Sequence, residues 1–197
     1  MKKFLAIIIL SLCFITSSQA DDIRDFQIEG ISIGDSLLDI MSVSEINQNI
    51  IPYQKGKRKY YVVGVNSKLR SKTYDGVEAY LKTGDTKYII RSLGGFMDTS
   101  SFNDCLSKKQ NIVNDIRPLF PDVMFYEKDQ YHKFDKSKKS KTYSSAFLLR
   151  GNVLSDHIRV DCIVWSKKMK KKHNFRDNLA VIAMKREIQD WIIGGYK

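Results

Sequence analysis

Cysteines, histidines and clustered lysines are the side chains of this sequence most able to do chemistry. Cys105 and Cys162 stand 57 residues apart. A redox-catalytic pair is usually C-x-x-C, and a zinc site needs more than two thiols. The pair therefore reads as a structural disulfide, which on the chain-entropy account stabilises by about 4 kcal/mol. His132, His157 and His173 show no H-x-x-x-H or H-E-x-x-H spacing, so no metal site and no cofactor are predicted. The lysines form two clusters. Lys133, Lys136, Lys138, Lys139 and Lys141 surround one proposed turn, and Lys167, Lys168, Lys170, Lys171 and Lys172 surround another. In an up-and-down meander every second turn lies at the same end of the sheet, which brings both clusters to one pole. Roughly ten positive charges then lie within a few Debye lengths. Such a pole can bind anions, or it can be two solvated turns that discourage edge-to-edge pairing.

Serines supply the remaining candidates. Gly30-Ile31-Ser32-Ile33-Gly34 matches the G-x-S-x-G elbow of α/β-hydrolases, although a glycine-bounded strand edge produces the same letters. Gly34-Asp35-Ser36-Leu37 resembles the first block of the GDSL esterases. That resemblance implies Ser36 as nucleophile, with His132 as base and Asp129 as its orienting acid in Asp129-Gln130-Tyr131-His132. It also implies a mainly parallel sheet with alternating helices. The family's Gly-x-Asn-Asp block is missing, and Asp35 or Ser36 can simply cap a helix. Phe26 to Met41, with its Gly-Ile and Ile-Gly steps before a short helix, is similar to the opening of SmpA/OmlA-type outer-membrane-assembly proteins, which implies binding rather than catalysis. Ile33 to Leu38, Tyr74-Asp75-Gly76 and Cys105 also resemble exported proteins of AT-rich marine alphaproteobacteria.

Compartment follows from the first residues. Lys2 and Lys3 precede an apolar run from Phe4 to Ile15 interrupted only by Ser11, and Ser18-Gln19-Ala20 gives a small-x-small site. This is the pattern of a signal peptide cut after Ala20. The run is shorter than the roughly 18–20 residues a membrane-spanning helix needs. Leu12 before Cys13 does not suit lipidation. Export predicts a periplasmic or secreted protein, in which two remaining cysteines pair. The formal charge of +11 becomes +9 once Lys2 and Lys3 leave. That balance attracts an anionic membrane, a glycan or an acidic protein surface, whereas the compartment argues against nucleic acid.

The elements that must position these groups read as α+β. Phe26–Ile33 alternates as a strand broken at Gly30, and Asp35 is placed to cap a short helix over Leu37–Met41, extended by 44–50. Strands are predicted at 59–65, 74–82 and 87–93, the last ended by Gly94-Gly95. A longer helix starts at Ser100 or Ser101 and is stopped by Pro118 and Pro121, with Cys105 on its apolar stripe. Strands follow at 123–134, 142–149, 157–165 and 178–184, with Gly151-Asn152 as a turn; Glu187–Ile193 reads as a helical turn or a strand tail. Residues 21–197 form one domain of helices on antiparallel meander sheet, which admits two halves at 27–97 and 98–197. The function expected is non-enzymatic binding by a monomer, with a Ser36/His132 esterase as the alternative.

Overall fold

The computed structural model describes residues 22–52, 58–65, 73–149 and 155–194. The proposed signal peptide, Cys13 and the Gly151-Asn152 turn lie outside the described residues. Early alternation folds into a small hairpin of β1 (Gln27–Ile28) and β2 (Ile31–Ser32) rather than one strand. The chain reverses at Glu29 and Gly30, with φ of 54° and 79°, as a two-residue hairpin turn with both φ positive requires. Ser36, not Asp35, caps the following 3-10 turn at Leu37–Asp39 by accepting the Leu38 N–H. Asp35 is already committed, because its carboxylate accepts the Ser32 N–H at 2.8 Å. A capping box of Ser42 and Glu45 then opens α1 (Val43–Gln48).

A seven-stranded sheet dominates the fold, with every neighbouring pair antiparallel. Its strands are β3 (Tyr60–Gly64), β4 (Gly76–Lys82), β5 (Ile90–Asp98), β6 (Met124–Tyr131), β7 (Lys141–Leu148), β8 (His157–Val164) and β9 (Asn178–Met184). Their spatial order is β3-β4-β5-β9-β8-β7-β6, so two meanders meet edge to edge where β5 pairs with β9. The protein is α+β, as the sequence leads one to expect. Gly94 and Gly95 do not end β5 but lie within it. A Cβ on Gly95 would come within 2.5 Å of the Tyr74 ring, so glycine keeps the strand intact by admitting an aromatic side chain.

One sheet face carries the main core. Val63, Ala79, Leu93, Val181, Val160 and Phe147 present it, and the N-terminal segment adds Ile23, Ile33, Leu37 and Ile46. Over β8 and β9 lies α2 (Phe102–Ile116), capped by Ser101, with Cys105, Val113 and Ile116 buried. The Cys105–Cys162 disulfide ties this helix to β8, with a Cα–Cα distance of 5.8 Å. The other face is covered in part by α4 (Arg186–Ile193), whose Ile188 and Trp191 pack on Tyr60 and Met184. This settles 187–193 as helix. At the sheet edges, β3 is flanked by a bridge from Ile50 to Val63, while β6 is exposed except at Phe125, which packs on Phe147. Glu127, Lys128 and Asp129 at the middle of β6 make it a poor template for another strand.

The lysine run after β8 is also a correction. It is predicted as a turn and folds as α3 (Lys167–His173). Ser166 caps it through the Met169 N–H, Met169 is its buried anchor, and Asn174 ends it in the left-handed region at φ 54°. Lysine has good helix propensity, and lysines in the last turn complement the helix dipole.

Candidate functional site

The β6–β7 and β8–β9 connections emerge from the same end of the sheet and are bonded to one another. Asp135 is the joint. Its carboxylate accepts Ser137 N–H and Oγ at 3.0 and 2.6 Å, and Ser140 N–H and Oγ at 3.0 and 2.7 Å. It also accepts the Ser166 hydroxyl from the other connection at 2.9 Å, and the Ser166 N–H donates to Ser140 Oγ at 3.0 Å. Hydroxyl donors from Ser137 first, then Ser140 and Ser166, hold the Asp135 carboxyl far below the usual carboxylate range. Asp135 is therefore an anion at every ordinary pH. A fixed acceptor for donors of both segments is what brings the two lysine clusters together.

Aromatic rings fill the space between the connections. His132 lies 4.3 Å from Trp165, and Trp165 lies 4.5 Å from Phe175. His173 stacks on Phe175 at 5.1 Å, and Phe134 meets His173 and Phe175 at 5.4 and 5.9 Å. Burial is the main cause lowering the His132 pKa, with Arg159 adding to it and Asp161 opposing, so a neutral ring faces Trp165 near neutral pH. Phe134, at the tip, remains 56% exposed. Among the described residues, Lys170 is the only lysine of the two clusters held in an ion pair, with Asp177 at 2.6 Å. Nearby Arg176 pairs with Asp98 at 2.9 Å. These two pairs line an open depression of about 490 Å³ together with Ser100 and Phe175. The depression is balanced in charge, whereas the other lysines of the two clusters are exposed and in no ion pair among the described residues.

The other candidates disperse. Ser36 lies beside the β4–β5 turn, bridged to Ile89, and its hydroxyl donates to the Lys87 carbonyl at 2.8 Å. His132 follows β6 at the opposite end of the strands, so the residues implied by the esterase resemblance do not assemble. Asp129 lies on β6, paired in register with Tyr143 of β7. The implied parallel sheet is absent too, since all pairings of the described strands are antiparallel. Ser32 is buried, with its Oγ 3.4 Å from the Phe26 carbonyl, and is no exposed nucleophile. His157 is buried at the far end of β8, and His173 belongs to the ring cluster. No group of three or more candidate metal ligands occurs among the described residues. On the sheet face opposite the main core, Asp161 is buried, held by Arg159 at 2.7 Å and paired in register with Ser144. Asp161 Oδ1 and Ser144 Oγ are sealed from solvent and present nothing to a ligand.

Sequence reasoning located the lysines and missed what organises them. Asp135, Ser166, Phe134, Trp165 and Phe175 were not singled out. Asp135-Lys136-Ser137 is an Asx-turn signal, and Ser166 directly before a lysine run is an N-cap signal. Compared with known proteins, the chain matches no family model, no curated protein and no solved structure.

Proposed function

We propose that this is an exported, monomeric, non-enzymatic protein that docks on a polyanionic surface through its lysine-rich pole. Supporting export are the charged and apolar N-terminal pattern and a cysteine pair joined as a disulfide, as oxidising compartments favour. Among the described residues, no helix is long and apolar enough to cross a membrane. The observation that carries the docking reading is the bonding of the two lysine-rich connections through Asp135 and Ser166. Mobile, separate turns would spread their charge; joined ones concentrate it. Each lysine close to an anionic surface contributes about 1 kcal/mol, falling off within a Debye length.

Binding to dextran sulfate, measured by titration at low and high salt, tests this. Wild-type protein is expected to bind at low salt and to weaken steeply as salt rises. Exchanging the lysines of both clusters other than Lys170, which pairs with Asp177, for glutamine should abolish binding with little change in the melting temperature. Binding that survives those exchanges places the polyanion elsewhere on the molecule.

A further inference from the structure

We infer that the polyanion is a lipid bilayer, and that the protein meets it with Phe134 as a wedge entering the acyl boundary while the lysines of the two joined connections meet the headgroups. This deepens the docking reading and rests on it. The choice of a bilayer rests on what surrounds the charge. Phe134 carries no polar atom and is 56% exposed at the tip of the pole, and neighbouring Tyr131 is exposed to the same extent. A hydrated glycan has no apolar layer in which to bury such a ring. A bilayer offers both layers in the right order, with anionic headgroups for lysines and hydrocarbon beneath for phenylalanine.

The type of base separates a bilayer from an acidic protein. Protein interfaces are enriched in arginine, whose planar fork grips carboxylates in pairs, and depleted in lysine. Here the exposed bases of the two joined connections are lysines, and Arg176 is already committed to Asp98. Lysine ammonium groups on flexible stems suit a diffuse field of headgroups better than one fixed carboxylate. The tip is also braced from behind. Phe134 rests on His173 and Phe175, Phe175 on Trp165, and Trp165 on His132, so it cannot fold back into the protein when it meets the surface.

The two tryptophans make the test direct. Trp165 belongs to the ring cluster, whereas Trp191 is buried beneath α4 against Tyr60. Vesicles of phosphatidylcholine doped with phosphatidylglycerol are prepared with bromine in the acyl chains, which quenches tryptophan only at close range. Wild-type emission should be quenched by these vesicles and not by brominated phosphatidylcholine alone. Trp165→Phe should lose the quenching, since only Trp191 remains. Phe134→Ser should bind vesicles about tenfold more weakly while binding dextran sulfate as the wild type does. Phe134→Trp, which keeps a ring in place, should add quenching of its own. Vesicle binding with no quenching in the wild type or in Phe134→Trp overturns insertion and leaves polyanion docking standing. Failure to bind both dextran sulfate and vesicles overturns docking, and insertion with it.

Discussion

The two ends of the seven-stranded sheet treat charge in opposite ways. At the end where β4 turns into β5 and α4 begins, bases meet acids. Arg91 reaches Asp85 at 3.9 Å and Glu187 at 3.6 Å, Lys185 reaches Asp156 at 4.0 Å, and Arg186 holds Asp190 at 2.6 Å. Tyr60 donates to Glu187 at 2.9 Å, and burial first, then this bond, pushes its phenol up to about 12. At the other end, the buried acid Asp135 is spent on serine hydroxyls rather than on lysines. One end is neutralised internally. The other is assembled by an anion that no lysine quenches, and among the described residues only Lys170 and Arg176 of its two connections are held in ion pairs.

The disulfide gives the largest expected effect and tests whether the lysine end depends on covalent support. Cys162 lies near the end of β8 from which α3 departs, and Cys105 is in the first turns of α2. Replacing both cysteines with alanine should cost about 4 kcal/mol in a denaturant melt. Hydrogen exchange should rise first in α2 and the last residues of β8, ahead of α4. Equal acceleration at both ends would mean that the link supports the whole sheet rather than the lysine pole.

Acid should act first at the opposite end. His157 is buried where β8 begins, paired in register with Leu148 and Met184, and burial lowers its pKa from 6.5 to about 4, with Arg159 adding to the effect. The folded state keeps this imidazole neutral where the unfolded chain already binds a proton. Stability from the neutral ring is therefore intact above about 6.5 and declines as pH falls towards about 4, by roughly 3 kcal/mol at most. Thermal melts between those limits should show the slope, and His157→Leu should flatten it. Asp135 adds to this slope only near the acid limit, where the unfolded carboxylate begins to take up a proton while the folded one stays ionised.

A third change separates placed charge from net charge. Asp135→Ala makes the protein more positive by one charge but removes the acceptor that joins the two connections. If arrangement governs docking, dextran sulfate affinity should fall about tenfold as the two clusters separate, despite the gain in charge. A rise in affinity would show that net charge alone matters.

What could be read from the sequence follows from the range of the interactions. Asn178–Met184 is a strand with the bounds its apolar run suggests, and α2 begins at a serine cap and ends before Pro118. Those signals are local. Gly94-Gly95 misleads because the Tyr74 ring that justifies glycine lies some twenty residues earlier and across the sheet. The lysine run hides a helix because its one apolar anchor, Met169, leaves no periodicity to see. Convergence of the lysine clusters could be argued from meander geometry alone. The joint at Asp135 could not, since it needs a serine from a connection two strands away.

The smallest expected effect completes the contrast between the ends. Asp190→Asn breaks the Arg186–Asp190 pair, an i,i+4 contact between partly exposed side chains. Such pairs contribute about 0.5 kcal/mol or less, so the melting temperature should hardly move. The substitution adds the same single positive charge as Asp135→Ala, but at the neutralised end. Dextran sulfate affinity should therefore stay within error of the wild type at physiological salt, where screening separates the two ends. If Asp190→Asn instead strengthened binding as much as a lysine added beside Phe134, the surface would be responding to total charge. The ordered pole would then have no special part in docking.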